Sequence, residues 1–314
     1  LVAPGLRRIP LKFATGIGAP GAIAWRRYRE QTPLRTVVPV TEETPALVTF
    51  TSGSTGAPKA AVRTHGFLHA QHAVVGVTLH ASPGDVVLTT LPIFVLSHLA
   101  AGATTLIPGV DIRNPGKVEP GPVVTQSKQY GVTCIEASPA FLERVAEHCM
   151  AAGARMEGVH QIFTGGGPVL PQLLDTLCIV APHAQIEAVY GSTEAEPIAH
   201  LPAADIDAAD RRAMVQGAGL LAGRPVEAVD IRILPDRWGT PIEPLNRAAF
   251  EADCLSSGEI GEIVVQPQRT LRDEAQSAPL EVGTQRVHPA HQRQCGRVAV
   301  GMHVAAGAVD AVRL

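Results

Sequence analysis

The chain has 314 residues, enough for one large domain or two modest ones. Hydrophobic residues make up 46% and charged residues 18%, so a core is available; with aromatics at 4%, Ala, Val and Leu must do most of the packing. A net charge of −3 gives no basic face for nucleic acid, and no apolar run approaches the ~18 residues of a membrane span. The cysteines (Cys134, Cys149, Cys178, Cys254, Cys295) form an odd set without a CxxC pair, which suits a reducing compartment. A soluble, cytoplasmic protein is expected. The chain opens at Leu1, and LRRIPLKF and AWRRYRE read as the middle of something, so an incomplete N-terminus is expected.

In chain order, residues 46–50 read as a strand, and Thr64 reads as the N-cap of a helix over about 65–80. Residues 85–91 and 102–107 read as strands. Residues 132–136 form another, followed by Ser138-Pro139 as cap and first turn of an amphipathic helix. Short strands are expected at 161–163 and 187–190, with a helix in 168–182 between them. Alternation of this kind predicts an α/β fold with a largely parallel sheet. From Gly223 the pattern turns antiparallel: VEAVDIRIL alternates, DRWGTPIEP is turn-rich, and GEIGEIVVQ follows. The expected division is an α/β nucleotide- and acyl-binding region over 1–222, the start of a β-rich subdomain over 223–266, and an atypical, poorly ordered tail over 267–314.

The stretch TFTSGSTGAPKA at 49–60 raises a chemical question. Its composition is that of a flexible linker. It is equally that of a phosphate loop. Small residues let backbone N–H groups approach an anion, hydroxyls add donors, and Lys59 adds a charge, all at the end of a strand. It is not a Walker A loop, because Lys59 follows Pro58 and Ala60 replaces the magnesium-binding hydroxyl.

The stretch resembles the signature loop of the adenylate-forming enzymes, a superfamily of acyl-CoA synthetases, luciferases and peptide-synthetase adenylation domains. Tyr190-Gly191-Ser192-Thr193-Glu194 resembles that family's Tyr-Gly-x-Thr-Glu segment, and Thr164-Gly165-Gly166-Gly167-Pro168 its small-residue adenine loop. Leu91-Pro92-Ile93-Phe94 resembles its aromatic acyl-pocket segment. The resemblance implies the family's large N-terminal domain and a magnesium-dependent use of ATP. Thr51, Ser52, Gly53, Ser54, Thr55, Gly56 and Lys59 would wrap the β- and γ-phosphates. Tyr190 would stack on adenine beside Gly165, Gly166 and Gly167, with Gly191 and Ser192 completing the nucleotide site. Thr193 would donate to the α-phosphate, Glu194 would hold Mg²⁺, and Phe94 and Gly166 would face the acyl substrate. Lys59, Thr193 and Glu194 are the catalytic candidates. Alone, Tyr190 reads as a sheet-edge tyrosine and Glu194 as an acid at a helix N-terminus; the combined spacing reverses that.

Within the family, residues 223–265, with the insert at 236–241, look most like the olefin-forming fatty-acyl ligases, which close a β-lactone from a β-hydroxy acid. The substrate expected is therefore a fatty acid, with coenzyme A or an internal hydroxyl as acceptor. The resemblance covers roughly 44–266. No Thr-Gly-Asp occurs, and residues 267–314 contain no Lys. The ribose anchor, hinge and C-terminal lysine of the family are thus missing, and a fragment or a frame shift near Gln266 is expected. The competing reading is a non-catalytic nucleotide-binding remnant. His65, His69 and His72, spaced along one helix face, are an alternative metal-binding constellation, and His288, His291 and Cys295 a looser one in the tail.

Overall fold

The computed structural model describes Arg8, residues 10–16, 18–29, 32, 35–51, 59–192, 195–236, 245–256 and 258–267, and the pairs 303–304 and 312–313. For residues 28, 29, 50, 51, 59, 60, 266, 267 and the two pairs it describes the backbone alone. Two compact units emerge, Leu1–Glu42 and Glu43–Leu314. In the first, β1 (Phe13–Ala14) pairs in parallel with β2 (Ile23–Ala24), and the helical turn α1 (Arg26–Arg29) follows. The Phe13 and Trp25 rings meet edge to face at 5.8 Å.

The second unit opens with a hairpin. Strand β3 (Pro45–Thr51) pairs antiparallel with β4 (Lys59–Thr64), and Thr51 stands opposite Lys59. Strand β4 departs from expectation, since its residues read as the approach to a helix. That helix, α2 (His65–Leu79), starts where expected, and the Thr64 hydroxyl accepts from the Phe67 N–H.

The main sheet contains β5 (Val86–Thr89), β6 (Thr104–Leu106), β7 (Cys134–Ala137), β8 (Gln161–Gly165) and β9 (Gln185–Tyr190), all parallel, in the order β6-β5-β7-β8-β9. Strands β10 (Ala199–Pro202) and β11 (Leu221–Pro225) add antiparallel beside β9. Strands β12 (Val229–Leu234) and β13 (Glu262–Pro267) form a separate antiparallel ribbon, as the alternation at 226–234 implied. The two-residue strands β14 (His303–Val304) and β15 (Val312–Arg313) pair with each other, and β15 pairs with β11. The expectation of a poorly ordered tail otherwise falls outside the described residues, as does most of the insert at 236–241.

Helices cover both sheet faces. A 3-10 turn (Pro92–Phe94) leads into α3 (Val95–Ala101), followed by α4 (Pro120–Tyr130), α5 (Pro139–Ala152), α6 (Pro171–Val180) and α7 (Ala208–Val215); α8 (Arg247–Asp253) instead packs Phe250 on Leu234 and Val264 of the β12–β13 ribbon. Successive strand residues point to opposite faces. Ile162 of β8 therefore enters the cluster with Leu142, Leu174 and Leu177, while Phe163 enters the one with Val75, Leu79, Val87 and Phe94. Burial on both faces explains why β7 and β8 are buried at every residue.

The expected strand at 102–107 begins only at Thr104, because Gly102 ends α3 in the left-handed conformation with φ 75°. Helix α4 is an element the sequence pattern hid: it opens Pro-Gly-Pro, although proline is tolerated in a first turn. Ser138 occupies the N-cap position of α5 as expected, but its hydroxyl makes no capping bond. Among the described residues no helix is long and apolar enough to cross a membrane.

Candidate active site at the carboxyl edge of the sheet

In open parallel sheets, ligands bind beyond the carboxyl ends of the strands. Here β5, β7, β8 and β9 end side by side and are tied together. The Thr90 N–H donates to the Glu136 carbonyl at 3.0 Å, and the Ser138 N–H donates to the Thr90 hydroxyl at 3.2 Å. This edge brings together the two small-residue motifs. Gly165, Gly166 and Gly167 leave β8, and Tyr190, Gly191 and Ser192 leave the adjacent β9, with Gly165 paired to Val189.

The glycines have separate physical reasons. A Cβ on Gly165 would collide with the Val189 carbonyl, so only glycine lets the strands close here. Gly166 has φ +76° and open space around it, leaving bare backbone facing outward. Two hydroxyls at the same edge, Ser138 Oγ and Thr164 Oγ1, are buried without a hydrogen-bond partner.

Tyr190 is half-buried against Ala222, Ile233 and Ile263, and burial pushes its phenol pKa up. Beyond it, Ser192 and Ala195 exchange backbone hydrogen bonds of 2.7 and 3.2 Å, and the Ser192 hydroxyl accepts from the Ala195 N–H. Glu196 then packs on Gly191, where a Cβ would lie 3.1 Å from Glu196 Cγ. Burial raises the Glu196 pKa, the Arg63 charge opposes that shift, and Glu136 adds to it. Phe94 is buried in the apolar cluster beneath the edge.

Several predicted residues cannot be placed. Ser52, Gly53, Ser54, Thr55, Gly56, Thr193 and Glu194 lie outside the described residues, and Thr51 and Lys59 are described by backbone alone. The hairpin register nevertheless sets Thr51 and Lys59 across from each other at the two ends of that loop. His65, His69 and His72 do not make a metal site: among the described residues no group of three or more His, Cys, Asp or Glu side chains could hold an ion. His72 instead contacts Ser97 at 2.8 Å.

Sequence reading missed one feature, a buried polar pair below this edge. His98 Nε2–H donates to Glu136 at 2.9 and 3.0 Å, and both side chains are 1% exposed. His98 Nδ1 contacts Thr105 Oγ1 at 3.1 Å. The available signal was a glutamate inside the strand-like run VTCIEASP, where a charge needs a partner.

The family described as AMP-binding enzyme matches residues 14–272. The chain belongs to that family. Over 222 residues it is 32% identical to an olefin beta-lactone synthetase of Stenotrophomonas maltophilia, covering 70% of this chain and 38% of the relative. A feruloyl-CoA synthase of an Amycolatopsis species is 28% identical over 236 residues, covering 75% and 43%. The chain thus spans less than half the length of these relatives. The family fold is seen in o-succinylbenzoate coenzyme A synthetase of Bacillus subtilis in complex with AMP, which superposes with a TM-score of 0.55 at 22% identity. That match covers 79% of this chain and 46% of the synthetase. The layered α/β sheet is accordingly that of the N-terminal domain of adenylate-forming enzymes.

Proposed function

We propose that the protein activates a carboxylic acid with ATP, forming an acyl-adenylate and releasing pyrophosphate. The observation that carries this reading is the convergence of Gly165–Gly167 and Tyr190–Ser192 at adjoining strand ends in a chain of the AMP-binding family. The acid's carboxylate attacks the α-phosphorus, the bond to the β-phosphate oxygen breaks, and pyrophosphate leaves with the electron pair. The chain's contribution is positioning and charge neutralisation. Residues 51–56 and Lys59 would hold the β- and γ-phosphates, Tyr190 and Gly165–Gly167 the adenine, and Thr193 the α-phosphate. Mg²⁺ would fall to Glu194, whose chain neighbours Ser192 and Ala195 stand at the carboxyl edge; one carboxylate with phosphate oxygens and water suits so hard an ion. The likeness to an olefin beta-lactone synthetase supports a fatty, β-hydroxylated acid, with lactone closure or coenzyme A capture as the following step.

Pyrophosphate release on mixing the protein with Mg-ATP and a panel of fatty acids tests the reading. Calorimetry of Lys59→Ala tests its nucleotide half: loss of a hydrogen bond from a charged group should weaken Mg-ATP binding by about 1.5–3 kcal/mol. Equal affinity in the variant would remove the loop from the site. Mg-ATP binding with no pyrophosphate released from any acid would favour a nucleotide-binding remnant.

A further inference from the structure

A cavity of about 210 Å³ opens between α2 and α3, lined by His72, Val75, Gly76, Leu79, Ser97 and His98 among others. Val75 and Leu79 belong with Phe94 to the core cluster that reaches Phe163 of β8, the strand ending in Gly165. The cavity therefore shares its apolar floor with the residues under the carboxyl edge.

Its polar wall is specific. His98 spends both ring nitrogens on Glu136 and Thr105, so it is a fixed surface. His72 Nδ1 lies 2.8 Å from Ser97 Oγ, and its Nε2 has no partner among the described residues. If Ser97 donates to Nδ1, the pair keeps an Nε2–H donor and a free oxygen lone pair. If Nδ1–H donates to Ser97, the pair keeps an O–H donor and an Nε2 acceptor. Either tautomer leaves one donor and one acceptor, the complement of a hydroxyl group.

We propose that this cavity receives the end of the acid remote from its carboxyl group, and that His72 and Ser97 select acids bearing a hydroxyl there. The proposal rests on the acid-activating reading above. An apolar cavity of about 150 Å³ holds benzene, so this one takes an aryl ring or a chain of about six to eight carbons. Such a group would lay its carbons on Val75 and Leu79 and its hydroxyl on the His72–Ser97 pair.

Calorimetric titration with octanoate, 8-hydroxyoctanoate and Mg-ATP tests this on the purified chain. The hydroxy acid should bind about three- to tenfold more tightly than octanoate, the yield of one net hydrogen bond. Ser97→Ala alone leaves the His72 imidazole, so the double variant His72→Leu/Ser97→Ala, which removes both partners, should bring that ratio to about one. Gly76 faces open space, and a Cβ there would meet nothing within 4 Å, so Gly76→Leu should fill the cavity and abolish binding of both acids. Gly76→Ala, which favours the helix, controls for folding and should keep both. Mg-ATP affinity should be the same in all variants. Acid binding that survives Gly76→Leu, a preference that survives His72→Leu/Ser97→Ala, or a wild-type chain that binds neither acid would each overturn the proposal. If the acids behave as expected and Mg-ATP does not bind, the ligase reading fails and the hydroxyl-selective cavity stands.

Discussion

Glu136 occupies the middle of the sheet at 1% exposure, a position where a carboxylate is costly unless paired. His98 makes it tolerable and in turn holds α3 against β7. Removing one partner strands the other, so Glu136→Ala should cost about 3–5 kcal/mol in urea unfolding. The double variant His98→Leu/Glu136→Met, which replaces the pair with apolar volume, should recover most of that loss. A single variant as stable as wild type would show that the pair contributes nothing. The cysteines separate by the same logic of burial. Burial pushes the Cys134 thiol far up, with Glu136 and Asp85 adding to the shift. The Cys178 thiol is also raised, by burial and then by Asp175, but its side chain is exposed. Thiolate is the reactive form. Under mildly alkaline conditions a disulfide reagent should therefore modify Cys178 slowly and Cys134 only on unfolding, as peptide mass mapping would read.

At the scale of elements, the caps were legible and the strand partners were not. Thr64 could be recognised because a hydroxyl before an apolar-periodic run has one dominant use. Thr64→Ala should cost about 1 kcal/mol in thermal unfolding, the usual worth of an N-cap; no change in midpoint would show that the 3.2 Å bond to Phe67 contributes nothing. Ser138 shows the limit of such reading. It stands at an N-cap position, yet its oxygen is buried and unpaired at the carboxyl edge. Gly165 belongs to this scale because its reason lies in the neighbouring strand. Gly165→Ala must push β9 aside at Val189, one residue before Tyr190. We expect lowered stability together with weakened Mg-ATP binding, read by calorimetry on the folded fraction. Unaltered nucleotide affinity would detach the β8–β9 junction from the site.

For the whole molecule, the sheet carries the fold, and its carboxyl edge is where the proposed chemistry would take place. Sequence alone determined the α/β class, the helix starts at His65 and Pro139, and the order of the four motifs. Each of these depends on neighbours within a few residues: an apolar period, a cap, a glycine cluster. It could not determine that residues 59–64 form the second strand of a hairpin, because strand pairing is set by a partner that the local pattern does not contain. Nor could it show that Gly165 and Tyr190 end adjoining strands, that His98 reaches Glu136 across 38 positions, or that His72 and Ser97 meet over a cavity. Those facts required the crossovers of a parallel sheet to bring distant segments together. Local patterns settle what an element is; only the packed tertiary structure settles which side chains share a site, because burial and hydrogen-bond geometry exist only between elements.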